Sequence, residues 1–284
     1  MRLLLVRHGE TVDNVAGLYA GIRDSPLTAH GVLQARRLGA HLATRLSTIG
    51  PVTHVFSSDL QRAANTAQAV IDAQPRQGSA FLQRAQVRLV KLPELRERNF
   101  GSAEGKRFGA PRADAESHEA MRGRADIFVR GSLVPLLRDG EGQDVAVVVS
   151  HGIFLNALLR VLLTRFAPAE LERLAPSNIG ALRSDYIVSW SNTGYVEMVF
   201  SRSMPTMSPS GGVVGSRSTI PSSTLGQDRR HGPRVTIVRV NSVEHLVGLK
   251  KTRGGIGSAQ FDSRQRTVDS FFTPASKKRR VEER

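Results

Sequence analysis

Two short apolar runs in this 284-residue chain finish alike. Residues 3–6, Leu-Leu-Leu-Val, lead into Arg7-His8-Gly9-Glu10-Thr11. Residues 145–149, all valine or alanine, lead into Ser150-His151-Gly152 and a helical pattern. A continuous apolar run of this length suits a strand buried on both faces, as in a parallel sheet covered by helices. In open sheets of that kind, ligands bind beyond the carboxyl ends of the strands. Each run therefore delivers a histidine and then a glycine to one edge, where glycine lets chain and ligand come close. A third run, 52–56, ends in Ser57-Ser58-Asp59-Leu60-Gln61-Arg62 and the start of a helix, whose first turn favours an anion. An isolated histidine is more often a packed or surface residue. Three strand ends converging on one edge weigh against that reading here.

Helical spacing separates these runs. Thr28 is placed to cap a helix carrying Leu38, Leu42 and Leu46, and 59–73 reads as another with Leu60, Ala63, Ala67 and Val70 on one side. Residues 86–91 read as a strand, and 127–137 and 153–166 as helices. The expected architecture is a three-layer α/β/α sandwich around a mostly parallel sheet. Later the pattern changes: 185–190, 195–200 and 234–240 read as strands. Residues 203–233, rich in Ser, Pro and Gly, read as a flexible insertion. The expectation is a domain over 1–249 followed by a disordered basic tail, 250–284.

Composition narrows the chemistry. The chain has no cysteine, which removes disulfides, thiolate zinc sites and cysteine nucleophiles. The first apolar run is shorter than the core of a secretion signal, and no stretch approaches the ~20 apolar residues of a membrane span. A soluble, intracellular protein with no membrane partner is the expectation. Net charge is +15, with 34 Arg and 6 Lys. Arginine suits planar oxyanions such as phosphate. The basic body reads equally as a solvated surface or as an anion-binding one, so direct nucleic-acid binding stays open.

On its motifs the chain resembles the histidine phosphatase superfamily, the group with the phosphoglycerate mutase fold (branch 1). Arg7-His8-Gly9 matches the family's signature, and Asn14 stands where its phosphate-binding asparagine would. Pro26-Leu27-Thr28-Ala29-His30-Gly31, with Gln34-Ala35, resembles the entry to its first helix. Ser57 to Ala63, with Thr66-Ala67, matches its arginine motif. Leu95-Arg96-Glu97-Arg98-Asn99-Phe100-Gly101, with Glu104-Gly105, resembles the segment that carries its acid, and Ser150-His151-Gly152 supplies its second histidine. The resemblance implies that His8 attacks phosphorus and becomes phosphohistidine. It implies that Arg7, Asn14, Arg62 and His151 hold the phosphoryl oxygens, and that Glu97 protonates the leaving oxygen and then activates water. Fixed cations would take the place of magnesium, so neither metal nor cofactor is expected. Glu94 and Glu104 are nearby rivals to Glu97, read as surface carboxylates.

Mutases of the family carry a longer segment after the acid motif, with Arg and Tyr clamping a bisphosphate. Residues 106–124 are short for that, although Arg107, Arg112, Arg122 and Arg124 could contact substrate. The reading is therefore a phosphatase acting on phosphorylated small molecules or proteins. A phosphoglycerate mutase or sugar-phosphate phosphatase with an incidental tail is the alternative, and a phosphate-binding scaffold without turnover stands third.

The tail carries a second pattern. Gln265-Arg266-Thr267-Val268-Asp269-Ser270-Phe271-Phe272 resembles the PIP box by which partners bind the replication sliding clamp, proliferating cell nuclear antigen. One helical turn brings Val268, Phe271 and Phe272 to one side, with Gln265 beside them, as helix-in-groove binding needs. Docking of the two phenylalanines back on the domain is the competing reading. The basic run 277–280, Lys-Lys-Arg-Arg, then reads as a nuclear import signal rather than a solvated tail, and the nucleus is the expected location.

Overall fold

A computed structural model describes residues 1–75, 87–139, 144–166, 187–201, 233–251 and 256–262. In chain order the elements are β1 (Arg2–Arg7), α1 (Val12–Ala16), α2 (Ala29–Thr44), α3 (Leu46–Ile49), β2 (Val52–Ser57), α4 (Gln61–Asp72) and β3 (Leu89–Lys91). They continue with α5 (His118–Phe128), α6 (Val134–Asp139), β4 (Val145–Ser150), α7 (Gly152–Arg165), β5 (Tyr195–Ser201) and β6 (Arg234–Ser242). The six strands form one sheet in the order β3-β2-β4-β1-β5-β6. The first four are parallel, and β5 and β6 join antiparallel at one side.

The apolar runs lie at the centre of the sheet and are buried on both faces. Successive side chains of a strand alternate between faces. Leu3 and Leu5 of β1, with Ala146 and Val148 of β4, join Phe128, Phe154 and Leu158 from α5 and α7. Leu4 and Val6, with Val145, Val147 and Val149, face Leu38 and Leu42 of α2 and Ala63, Ala67 and Val70 of α4. This is the three-layer sandwich that the sequence pattern implies. Thr28 caps α2, its side chain accepting the Gly31 N–H at 2.9 Å.

A carboxylate of the sheet itself is buried in this frame. Glu197 of β5 is fully enclosed and is met by Arg2, by Arg45 at 3.0 Å and by Arg239 at 3.4 Å. A buried carboxylate needs such partners, because an unpaired charge in the interior is strongly destabilising.

Several expectations are corrected. The helix expected from 127 begins at His118 and passes through one π-helical turn, Val129–Leu133, into α6. The strand expected over 185–190 is absent from 187–190, which run without sheet partners; residues 185 and 186 lie outside the described ones. Instead the Asn156 side chain of α7 pairs with both backbone groups of Val188, at 3.0 and 3.2 Å, and so replaces a neighbouring strand. The tail is not free from residue 250. Residues 256–262 lie on the start of α2, with Ala29 N–H donating to Ala259 O at 3.0 Å and Phe261 N–H to Leu27 O at 3.1 Å. Lys251 pairs with Glu10 at 2.5 Å. Backbone pairing of this kind needs no apolar period, which is why periodicity missed it. Residues 203–232 of the expected insertion and all of the clamp-like and basic motifs lie outside the described residues.

Candidate active site

The register of the two central strands places the histidines. Arg7 of β1 pairs with Ser150 of β4, so His8 and His151 occupy the next step on neighbouring strands. Parallel neighbours lie about 4.8 Å apart, and the two imidazole centroids are 5.1 Å apart. Both rings are buried. Strand β2 ends at the same level, with Ser58 N–H donating to Val149 O at 3.0 Å, and leads into α4, whose second residue is Arg62. The three strand ends thus meet at one edge.

Hydrogen bonds give the two rings opposite tautomers. His8 Nδ1 lies 2.7 Å from Gly9 O. A carbonyl only accepts, so Nδ1 carries the proton and Nε2 keeps its lone pair. His151 Nδ1 instead accepts from Arg62 Nε at 3.2 Å, so in the neutral ring the proton is on Nε2. Burial, then the Arg62 and Arg7 charges, hold His8 well below its ordinary pKa, the Gly9 bond opposing weakly. Burial and Arg62 do the same for His151. Both rings are therefore neutral near pH 7.

The cations surround this pair. Arg62 is almost completely buried and also donates to Arg23 O at 2.7 Å and Gly21 O at 2.6 Å. Of its five N–H groups, two remain, one on each terminal nitrogen. Arg7 donates to Trp190 O at 2.6 Å, while its Nε, like His151 Nε2, is buried without a hydrogen-bond partner. Unpartnered buried donors are rare and call for an acceptor. Burial lowers both guanidiniums, and the Glu97 charge opposes that shift at each. Asn14 sits in the first turn of α1, its Oδ1 accepting from Thr11 N–H and Asn192 Nδ2, each at 3.2 Å. Its Nδ2 is the amide end left for a ligand. Arg7, His8, Asn14, Arg62 and Glu97 all line a cavity of about 290 Å³.

Glu97 enters from the segment after β3. Its carboxylate accepts from Arg98 N–H at 2.8 Å, Phe154 N–H at 3.0 Å and Ile153 N–H at 3.3 Å, the last two at the start of α7. The segment itself is pinned by Ser150 Oγ on Leu95 O at 2.7 Å and by the Arg96–Asp59 ion pair at 2.5 Å. That pair holds the Asp59 carboxyl below its usual range. Arg124, expected as a possible substrate contact, is instead committed to Glu116 and to the carbonyls of Glu94 and Arg96. Glu104 accepts from Ile22 and Phe100 N–H and braces the loop, and neither it nor Glu94 lines the cavity.

The two glycines have different reasons. A side chain at Gly9 would meet Gly31 O at 2.6 Å, so the close approach there is of one backbone to another and not to a ligand. At Gly152 a Cβ would lie 3.9 Å from Arg7 Nε, in the cavity wall. Thr66 of the arginine motif accepts Gly9 N–H at 3.0 Å and ties α4 to the His8 loop.

Sequence reasoning missed the turn that backs this loop. Thr193, at φ +57°, donates its N–H to Arg7 O and His8 O, at 3.0 and 3.2 Å. Asn192 Nδ2 donates to His8 O at 3.2 Å as well as to Asn14. Thr193 Oγ1 donates to Asn192 O at 2.7 Å and so accepts from His245 Nε2, at 2.9 Å. Burial, with His41 nearby, pushes His245 down to about 4, consistent with a neutral ring in that role. The Ser191-Asn192-Thr193-Gly194 run is rich in turn formers, the one local signal that marks it. Among the described residues, no group of three or more His, Asp or Glu side chains is placed to hold a metal ion.

Comparison with known proteins gives this edge of the sheet a lineage. A 'Probable phosphatase' of Schizosaccharomyces pombe is 30% identical over 284 aligned residues, covering 94% of this chain and 78% of its own length. A 'Probable phosphoglycerate mutase' of Enterobacter sp. is 34% identical over 208, covering 69% of this chain and 90% of itself. Among solved structures, a mycobacterial glucosyl-3-phosphoglycerate phosphatase in complex with VO3 matches with TM-score 0.52 and 21% identity, over 70% of this chain and 91% of that one. At that identity the likeness speaks for the fold alone. The model of the histidine phosphatase superfamily (branch 1) matches residues 3–192, from the first strand to the turn behind His8, and to that family the chain belongs.

Proposed function

We propose that the protein hydrolyses phosphate monoesters through a phosphohistidine formed on His8. The observation that carries this is the His8 tautomer. With Nδ1–H held by Gly9 O, the Nε2 lone pair is left free in a ring that burial and the Arg62 and Arg7 charges keep neutral. A covalent intermediate on a histidine is general to the superfamily, and it splits one hard displacement into two easier ones.

In the first step Nε2 attacks phosphorus and the bond to the ester oxygen breaks. Glu97, as the acid, gives its proton to that oxygen, and the alcohol leaves. In the second step Glu97 takes a proton from water. The resulting hydroxide attacks phosphorus, the N–P bond breaks and inorganic phosphate is released. Arg7, Arg62, His151 Nε2–H and Asn14 Nδ2 stabilise the charge on the phosphoryl oxygens in both steps. The relative that aligns over nearly the whole chain, described as a probable phosphatase, supports hydrolysis. The relatives described as phosphoglycerate mutases keep a second reading in view. Against it, Arg124 of the 106–124 segment is engaged by Glu116 rather than turned to a substrate.

Turnover of p-nitrophenyl phosphate and of 3-phosphoglycerate with its bisphosphate separates the two. Hydrolysis with phosphate recovered on His8, by mass spectrometry at alkaline pH, is the expected result. Mutase turnover far above hydrolysis would replace this reading.

We also propose that residues 265–272 dock the enzyme to the sliding clamp in the nucleus, through Gln265, Val268, Phe271 and Phe272 and with 277–280 as the import signal. The support is the motif's spacing. Calorimetric titration of the full chain against proliferating cell nuclear antigen should give binding that Phe271→Ala with Phe272→Ala abolishes. Unchanged affinity in that variant removes the groove interpretation.

A further inference from the structure

The phosphoryl end of the cavity is polar, but the space beyond it is not. Leu18, Tyr19, Phe108, Ile153 and Trp190 supply its apolar walls, and Glu97 is the carboxylate among the lining residues. Two of these walls have polar tips, and both tips are engaged by the protein. Tyr19 Oη accepts the Gly109 N–H at 3.0 Å. Trp190 Nε1 donates to Asn156 Oδ1 at 3.0 Å. That oxygen also takes the Val188 N–H, and the Asn156 amide nitrogen gives to Val188 O, so Asn156 belongs to the wall rather than to a ligand. Apart from the Tyr19 O–H and the second Asn156 N–H, what these residues offer a substrate is ring and hydrocarbon.

Phe108 stands at the rim, 58% exposed, its ring edge-on to Tyr19 at 5.0 Å. Tyr19 in turn packs on Phe100 at 4.6 Å. Large rings left in water next to a binding pocket mark a contact site. Among the described residues, the cavity's cations are Arg7 and Arg62, both at the phosphoryl end. Arg112 stands over the Tyr19 and Phe100 rings at 5.1 and 5.9 Å but does not line the cavity, so among the described residues a second anionic group inside it would lie against hydrocarbon. At about 290 Å³ the cavity is just below the usual range for ligand pockets, ~300–1,000 Å³. It holds a phosphoryl group and one compact group, with anything larger passing out beside Phe108.

We propose that the favoured substrates are aryl phosphate monoesters, whose flat uncharged ring is held by Phe108, Tyr19 and Trp190. This rests on the phosphatase reading and adds the leaving group's chemistry to it. Phe108 is then a specificity-determining residue, acting in binding and not in the chemical step.

The test compares kcat/KM for three esters on the full chain: phenyl, 1-naphthyl and 4-carboxyphenyl phosphate. 1-Naphthol, like the carboxylated phenol, is slightly more acidic than phenol, so ring contact is read from the part of the naphthyl advantage that Phe108→Ala removes and from naphthyl against carboxyphenyl. The carboxylated phenol is the better leaving group, so a lower rate with it reads the wall. The expected order is naphthyl above phenyl by about tenfold and carboxyphenyl below phenyl, within the 10–200-fold that small changes of apolar contact give. Phe108→Ala should shrink the naphthyl advantage towards 1, chiefly by raising KM. The exposed ring makes that variant tolerable to the fold, which a thermal melt checks. Equal kcat/KM for all three esters, or a naphthyl advantage untouched by Phe108→Ala, overturns the inference while leaving the phosphatase reading intact. No hydrolysis of any ester and no phosphate on His8 overturns both.

Discussion

His8 and His151 stand at matched positions on adjacent strands, each followed by glycine, yet the fold gives them opposite electronic ends. His8 turns Nδ1–H to its neighbour's carbonyl and keeps a lone pair on Nε2. His151 turns a lone pair to Arg62 and keeps a proton on Nε2. In the proposed reaction the first ring attacks phosphorus and the second holds its oxygen. The lesson is that a repeated dipeptide at a strand end fixes position but not role. Role is decided by the single partner each Nδ1 finds.

That contrast is open to direct attack. The largest expected effect is in His8→Ala, which removes the covalent path and should lower kcat by about 10⁴–10⁶, with no phosphoprotein trapped. His151→Ala should cost about 10²–10³, the scale of one lost oxyanion donor, and should still give phosphate on His8. Equal losses, or phosphate found on His151, would break the comparison. Stability should divide the glycines in turn. Gly9→Ala drives a methyl into Gly31 O and should destabilise by ~1–3 kcal/mol in a denaturant melt. Gly152→Ala makes ordinary contacts and should leave the midpoint in place while raising KM, since its methyl sits beside Arg7 Nε.

The smallest effect is in pH. His8 loses its nucleophile when protonated, and its folded pKa lies well below the ordinary 6.5. The acid limb of kcat/KM should therefore fall well below pH 6.5, with less than about a twofold change between pH 7 and 6. The unfolded histidines bind protons that the folded ones refuse. Stability should then decline as pH drops from about 6.5 towards the folded values. An acid limb at 6.5 or above would mean that His8 is not shielded as described.

The strands and their endings were legible because burial on both faces writes an unbroken apolar run, and because the site's chemistry sits directly after it. Arg62 was legible as a helix-start cation. What sequence could not show is hydrogen bonding between distant segments. Asn156 takes the place of a strand beside Val188, so an apolar stretch at 187–190 reads as sheet and is not. Thr193 and Asn192 grip the backbone of Arg7 and His8 across more than 180 residues of chain, with no period to announce it. Helix α5 begins at His118 among charges, with Met121 and Ala125 its only early apolar pair, too sparse a stripe to read. Arg124 looked like a ligand contact because its partner Glu116 lies in the loop before α5, where helical spacing does not apply.

The buried Glu197 has a consequence for how reliably this chain finds its strand alignment. Residues 3–6 are apolar on every side, so sliding β1 by one residue would leave nearly as much hydrocarbon covered while rotating His8 away from His151. Hydrophobicity cannot tell those two alignments apart. Arg2 bears on the choice, because in the observed alignment it joins Arg45 and Arg239 on Glu197, whose carboxylate has no water to fall back on. An ion pair at the opposite end of the strand thus favours the alignment that brings the two histidines together.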